Sequence, residues 1–365
     1  MTAVRSIDLR LDVTDAAGLG EPAHIALTVT APEHLAPDPI VCFAKPGAGY
    51  SRGYYTEDLP GPGPGSQAEW HAGRGWIFVA VDHLGVGDSS LHDPDRLTFA
   101  PVIAASEAAE AEVRQRLAAG TLRNDLPAVD FDAAVTIGIG QSMGGAFTIV
   151  QQGRHHGYDG IAVLGYSPLR TQPPSAPGAP SLAFPWIPRD TQLAEGIITN
   201  APALTEHAAA VGAEPAVALP DDAQPMAWPF HYDDVDPAVV RRDMEDYPAR
   251  HGDVPPWGSA TIPATAVLWC LAPGSTLAEA AAIRTPVLVA LGERDVLVDP
   301  RGEPRAYESS PGVDLFVCPR MAHMHNFAGT RELFWRRIET WADWVRAWKN
   351  TGGRSTGSSS PRVTA

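Results

Sequence analysis

Two stretches of this 365-residue chain could present a serine as a nucleophile: Gly140-Gln-Ser142-Met-Gly144 and Gly49-Tyr-Ser51-Arg-Gly53. Both fit Gly-x-Ser-x-Gly, a pattern that places the serine on a tight turn between a strand and a helix. Glycines flank it because any Cβ there would strike the neighbouring strand or helix. Context separates the two matches. Ser142 follows VTIGIG, an apolar run of strand length, and opens MGGAFTIVQQG, which can run as a helix. That unit forces the serine into a strained conformation and lifts its Oγ above a sheet. It also puts the Met143 amide at a helix N-terminus, where it can stabilise an oxyanion. Ser51 instead leads into GYYTEDLPGPGPG, which cannot form a helix. Ser142 is therefore the candidate nucleophile.

The same glycines admit a competing reading. Gly138, Gly140 and Gly144 after a strand form a loosened dinucleotide fingerprint. That motif needs a carboxylate about 20 residues on, ending the next strand, to hold a ribose. The next strand here ends Tyr166-Ser167-Pro168, with no carboxylate, so the dinucleotide reading is poor.

A serine hydroxyl needs a base to take its proton, and the base needs an orienting acid. Two downstream stretches supply candidates. One is the run 286–292 followed by Glu293-Arg294-Asp295, with Asp299 close behind. The other is the run 313–318 followed by Pro319-Arg-Met-Ala-His323-Met-His325.

Eight strand-like runs must position these groups: 7–13, 24–30, 39–45, 76–82, 135–140, 161–167, 286–292 and 313–318. The later ones are continuously apolar, as expected where helices cover both faces of a sheet. Helical stretches intervene near 101–119, 143–155 and 330–349, and alternation of this kind points to a mainly parallel sheet. In the last helix Phe334, Ile338, Trp341, Val345 and Trp348 share one face, read as core packing. Between 170 and 282 the pattern breaks into prolines, short helical pieces and scattered aromatics. A structureless loop of that length is implausible, so this stretch should be an inserted cap or lid. The tail, 351–365, has almost nothing to bury and should be disordered.

Composition narrows the function. The formal net charge of −16 leaves no basic stripe for a nucleic acid or an anionic membrane. No run approaches the roughly 18 apolar residues of a membrane span, and the N-terminus lacks the apolar core of a signal peptide. Cys42, Cys270 and Cys318 show no metal-ligand spacing and read as buried thiols, which suits a reducing, cytoplasmic setting. The scattered His and Asp residues imply no metal, and nothing implies a cofactor. The expected partner is a small-molecule substrate.

In the order Ser, Asp, His at the ends of successive strands, these segments resemble the α/β-hydrolase superfamily. The resemblance covers roughly 39–170 and 283–349. It rests on the Ser142 turn, on Val79–Ser90 (VAVDHLGVGDSS), on Gly292-Glu-Arg-Asp295 and on Ala322-His323-Met324. It implies an α/β fold: a mainly parallel eight-stranded sheet flanked by helices, with core 1–169 and 283–350 and cap 170–282. It implies that Asp295 orients the imidazole and that His323 is the base, since the family's base follows a small residue. His325, two residues on, stays open as the alternative, and Glu293 and Asp299 stay open as the acid. After the strand 39–45, an amide near Gly47 or Ala48 would join that of Met143 in an oxyanion hole. Where many relatives carry His-Gly, this chain has Lys45-Pro46, and Lys45 is expected to be a solvated lysine. Tyr50 is expected to close a pocket wall, and Trp228 and His231 either to line the pocket from the cap or to belong to a packed loop. His83 and His92 are expected to pack or hydrogen-bond. The activity implied is hydrolysis of a carboxylic ester, lactone or thioester. Alternatives are an acyltransferase on the same scaffold, or a noncatalytic binding protein that keeps the fold.

Overall fold

The structure is a computed structural model, and it describes residues 3–61, 65–182, 184–191, 197, 201–213 and 226–352. The expected tail lies outside these except for Thr351 and Gly352. Eight strands form one sheet: β1 (Val4–Asp12), β2 (His24–Pro32), β3 (Ile40–Lys45), β4 (Ile77–Val81), β5 (Val135–Gln141), β6 (Gly160–Leu164), β7 (Val287–Arg294) and β8 (Val313–Ala322). Their order is β1-β2-β4-β3-β5-β6-β7-β8. β1 and β2 pair antiparallel, as do β2 and β4, while every pair from β4 to β8 is parallel. The chain leaves β3 towards β4 on one side and returns at β5 on the other. The loops after β3 and β5 therefore part, opening a crevice at the carboxyl ends of the strands, where open α/β sheets bind their ligands.

Helices complete the layers. In the first half of the chain they are α1 (Thr14–Ala17), α2 (Gly53–Thr56), α3 (Gln67–Ala72), α4 (Phe99–Ala118) and α5 (Met143–His155). Then come α6 (Ala201–Ala210), α7 (Ala227–Phe230), α8 (Pro237–Met244), α9 (Ala264–Leu271), α10 (Leu277–Ala282) and α11 (Arg331–Asn350). α4, α5 and α10 pack together on one face of the sheet, and α3 and α11 pack on the other. Residues 143–152 of α5 are all buried, as befits a helix covered all round. On α11, Phe334, Ile338, Trp341 and Val345 are buried and Trp348 is half-buried, so the stripe read from sequence is core. No helix among the described residues is long and apolar enough to cross a membrane. The three cysteines are free and buried.

Several boundaries moved. β6 stops at Leu164 rather than running to 167, because Gly165 turns the chain at φ 63°. β7 and β8 extend to Arg294 and Ala322, which brings Asp295 and His323 directly to strand ends. α2 forms one helical turn after Ser51, where sequence argued against any helix. A single turn needs only four residues, and the prolines begin beyond it.

Between β6 and β7 the described residues add no strand to the sheet. They lie across its carboxyl edge instead, tied by main-chain bonds. His323 N donates to the Pro229 carbonyl at 3.1 Å, Met324 N to Phe230 at 2.8 Å and Ser51 N to Trp257 at 3.0 Å.

Lys45 corrects an expectation. It is fully buried rather than solvated: its ammonium is paired with Glu110 and donates to the Tyr158 hydroxyl at 2.8 Å. Lys45 ends a central strand of the sheet, so the charge must be met inside, and Glu110 of α4 meets it. Lys45 therefore has no hand free for a substrate anion.

Candidate active site

Ser142 joins β5 to α5 with φ 53° and ψ −121°, one of few non-glycine residues at positive φ. The packing around it enforces this. A Cβ on Gly140 would collide with the Gly144 carbonyl, and a Cβ on Gly144 would collide with the carbonyls of Lys45 and Pro46. The close approach of α5 to β3 thus requires both glycines. The Ser142 amide donates to the Leu164 carbonyl at 2.8 Å, fixing the turn against β6. Ser51, the other pattern match, has no such strain; its hydroxyl donates to the Pro256 carbonyl at 3.3 Å.

Asp295 and His323 meet 2.6 Å apart, Oδ1 to Nδ1. The carboxylate is saturated: Oδ1 also accepts from Val296 N at 2.7 Å, while Oδ2 accepts from Gly292 N at 2.9 Å and His325 Nε2 at 2.8 Å. Burial pushes this carboxyl up, but the charge and hydrogen bond of His323, then those of His325, outweigh it and hold it well below the ordinary range. Gly165 makes the pairing possible. A Cβ there would lie 3.0 Å from His323 Nδ1 and 3.1 Å from both Asp295 oxygens. The alternative acids lie elsewhere: Glu293 accepts from the Tyr232 hydroxyl at 2.6 Å, and Asp299 caps a short helical turn through Gly302 N.

The two histidines differ in which nitrogen they spend. His323 gives Nδ1 to the carboxylate and turns Nε2 towards Gln141, the residue before Ser142. His325 gives Nε2, and its Nδ1 is buried without a partner, the ring 4.5 Å from Phe334. Burial also lowers the His325 pKa, against the opposing pull of Asp295.

Gln141, the residue before Ser142, is fully buried against His323. Its Nε2 donates to the His323 carbonyl at 3.2 Å and to ring Nε2 at 3.3 Å. Both are acceptors once Nδ1 carries the proton that faces Asp295, so the amide nitrogen must point this way. Among the described residues the Ser142 hydroxyl makes no hydrogen bond. His323 Nε2 is therefore engaged by the neighbour of Ser142 rather than by Ser142.

The loop after β3 brings Gly47 beside this turn: a Cβ on Gly47 would be 3.1 Å from Ser142 Cβ. Among the described residues the amides of Gly47, Ala48 and Met143 have no acceptor. The loop is held from beneath. His83 Nε2 donates to the Pro46 carbonyl at 2.9 Å, and burial lowers that imidazole to about 3, so it is neutral. His92 bonds Ser90 and Glu21, also as a structural group.

Tyr50 is placed otherwise than expected, and His231 and Trp228 lie in packed surroundings, one of the two places open to them. Tyr50 is fully buried, its hydroxyl donating to Asp243 at 2.6 Å, so it braces the loop rather than facing a pocket. His231 is buried against the same carboxylate at 2.8 Å. Trp228 is half-buried under the Arg294 guanidinium, 4.2 Å from the ring centre. Phe230, between them, is the residue that meets His323, with ring centres 4.7 Å apart, and Tyr247 stands 5.2 Å beyond it. Nothing in the sequence marked Gly165, Tyr247 or Asp243. Gln141 carried a hint: it is a polar residue ending a strand that is apolar but for Thr136.

No protein-family model matches the chain, and no curated protein sequence matches it. Solved structures do. An esterase from Thermogutta terrifontis superposes with a TM-score of 0.56 at 14% identity, covering 93% of this chain and 99% of the esterase. A proline iminopeptidase from Mycobacterium smegmatis gives 0.54 at 15%, covering 93% and 99%. A haloalkane dehalogenase variant from Bradyrhizobium elkanii gives 0.53 at 14%, covering 96% and 100%. The chain therefore has the α/β-hydrolase fold, with a mostly parallel eight-stranded sheet.

Proposed function

We propose that the protein is a serine hydrolase that cleaves a carboxylic ester, lactone or thioester of a small, fairly apolar substrate through a Ser142 acyl-enzyme. The observation that carries this reading is the 2.6 Å Asp295–His323 pair, in hydrogen-bond contact with the residue next to a serine held at positive φ. Ser142 Oγ attacks the carbonyl while its proton passes to His323 Nε2, displacing the weak bond from Gln141. His323 then protonates the leaving group, and water repeats the cycle to release the acid. Asp295 keeps the proton on Nδ1, so that the Nε2 lone pair stays available. The Met143 amide, with that of Gly47 or Ala48, receives the developing oxyanion. Phe230 and Tyr247 offer an aromatic wall to the acyl group, and residues 170–282 act as the cap.

A panel of chromogenic esters of graded acyl length tests this on wild type and Ser142→Ala. Wild type should turn over the shorter esters and take a fluorophosphonate label. Ser142→Ala should lose more than about a thousandfold in kcat and all labelling. Undiminished turnover in Ser142→Ala would sink the assignment.

A further inference from the structure

A second buried carboxylate grips the loop proposed to form the oxyanion hole. Asp243, near the end of α8, is fully buried. Its Oδ2 accepts from the Tyr50 hydroxyl at 2.6 Å and His231 Nε2 at 2.8 Å. Its Oδ1 accepts from Trp257 Nε1 at 2.7 Å and the Arg250 guanidinium at 3.2 Å. Arg250, 2% exposed, also donates to the Asp243 carbonyl at 2.8 Å and, in a close contact, to the carbonyl of Gly49. The guanidinium lies 4.8 Å from the Tyr50 ring centre. Around it, Ser259 N donates to the same Gly49 carbonyl at 3.0 Å, and Tyr50 bridges to Gly258.

The physical consequence follows from what the loop lacks. Residues 46–49 belong to no strand and to no helix, and single bonds hold them instead: the Pro46 carbonyl, in one plane with the Gly47 amide, accepts from His83, and the Gly47 carbonyl, in one plane with the Ala48 amide, accepts from Tyr50 N at 3.2 Å. Gly47 and Ala48 are separated from the gripped Gly49 carbonyl by one or two peptide planes. The Tyr50 amide shares its peptide plane with the gripped Gly49 carbonyl, so any shift of that carbonyl moves the bond that aims the Ala48 amide. A guanidinium fork fixed by a buried carboxylate holds that carbonyl in place.

We propose that Arg250, oriented by Asp243, is a positioning residue for the oxyanion loop: the inserted segment itself sets the amides of Gly47 and Ala48. The proposal rests on the hydrolase reading and deepens it. Misplacing catalytic donors by about 1 Å costs on the order of 100-fold in rate, with little effect on ground-state binding.

The test uses the full chain with a short chromogenic ester, measuring kcat and KM separately, with circular dichroism and thermal melting as folding controls. Arg250→Met should lower kcat by about 10- to 100-fold and move KM by less than about threefold. Arg250→Lys, which restores one donor, should recover part of kcat. A folded Arg250→Met with wild-type kcat overturns the proposal, as does a change confined to KM. Should Arg250→Met not fold, Tyr50→Phe removes one hydroxyl from Asp243 and keeps the ring. It should lower kcat several-fold, and an unchanged kcat there overturns the proposal equally. Wild type that neither turns over an ester nor takes the fluorophosphonate label overturns the hydrolase reading, and this proposal with it. Active wild type with an indifferent Arg250→Met overturns this proposal alone.

Discussion

Asp295 and Asp243 are both buried carboxylates, each accepts four donors, and each holds a histidine. They differ in where the far nitrogen of that histidine goes. His323 carries its Nε2 to the elbow, within 3.3 Å of the Gln141 amide beside Ser142. His231 turns its Nδ1 into the interior, where it is buried without a partner. The donors also differ in origin. Those of Asp295 come from residues 292–325, at the ends of adjacent parallel strands. Those of Asp243 come from Tyr50, His231, Arg250 and Trp257, and they tie the inserted segment to the loop after β3. The two carboxylate–histidine pairs are thus separated by where the second ring nitrogen points, not by the tightness of their hydrogen bonds.

The largest effect that could break this contrast is on rate. Asp295→Asn should cut kcat by about 10⁴-fold while leaving KM within a few-fold, because an amide no longer holds the useful tautomer of His323. Steady-state kinetics checks it; a loss below tenfold would remove Asp295 from the mechanism. Asp243→Ala should be felt chiefly as stability. Leaving Arg250 buried without its carboxylate costs about 3–5 kcal/mol, read as a lower urea midpoint. A midpoint unchanged by that substitution would show that the cluster holds nothing.

Acid should act on neither carboxylate first. Asp295 and Asp243 are both held below the ordinary range: burial raises each, but their histidines outweigh it, joined at Asp243 by Arg250. Their contribution is present above the unfolded carboxylate pKa and is lost only as pH falls through the lower folded value. The buried imidazoles respond earlier. Burial lowers His71 and His83 from 6.5 to about 3, so between those values the unfolded chain binds the protons. Stability is then full above pH 6.5 and falls towards pH 3, by up to about 1.4 kcal/mol per pH unit for each histidine. His71 stacks on Trp76 at 4.2 Å, so His71→Phe should keep the packing and flatten that slope by one proton in urea titrations. An unaltered slope would exclude His71 as the acid-sensitive group.

The smallest expected effect sharpens the Asp295 side. Gly165→Ala puts a methyl against the Asp295–His323 bond at a position with φ 63°. It should cost about 1–2 kcal/mol of stability and lower kcat several-fold. Equal kcat would mean that the pair tolerates displacement.

Much of this was legible along the chain, for a definite reason. The eight apolar runs, the strand-to-helix turn at Ser142 and the acid and base after the last two strands are local patterns. In a parallel sheet, residues just past consecutive strand ends must converge on one edge. Separating His323 from His325 by geometry required coordinates, since residues two apart in a loop have no fixed relative orientation. The resemblance favoured His323 because it follows a small residue, and the coordinates add that His323 meets Asp295 through Nδ1 while His325 meets it through Nε2. Lys45 was misread because β3 is central, and a lone lysine gives no sign of its partner 65 positions away on α4. Tyr50 was expected at a pocket wall, and Trp228 and His231 either there or in a packed loop. Their actual partners, Asp243 and Arg294, lie in other segments that periodicity cannot link to them.

By itself, then, the sequence determined the order of strands and helices, the strained serine and the short list of acids and bases, because each depends on side chains within one turn or strand. Tertiary structure alone decided that Gln141 bonds Nε2 of His323 and that Gly165 clears space for the Asp295–His323 pair. It also decided that Arg250, paired with Asp243, bonds the carbonyl of Gly49 in the loop after β3. Those facts depend on contacts between segments up to about 200 residues apart, and a buried polar group is satisfied by whatever the fold brings to it, which no local pattern records.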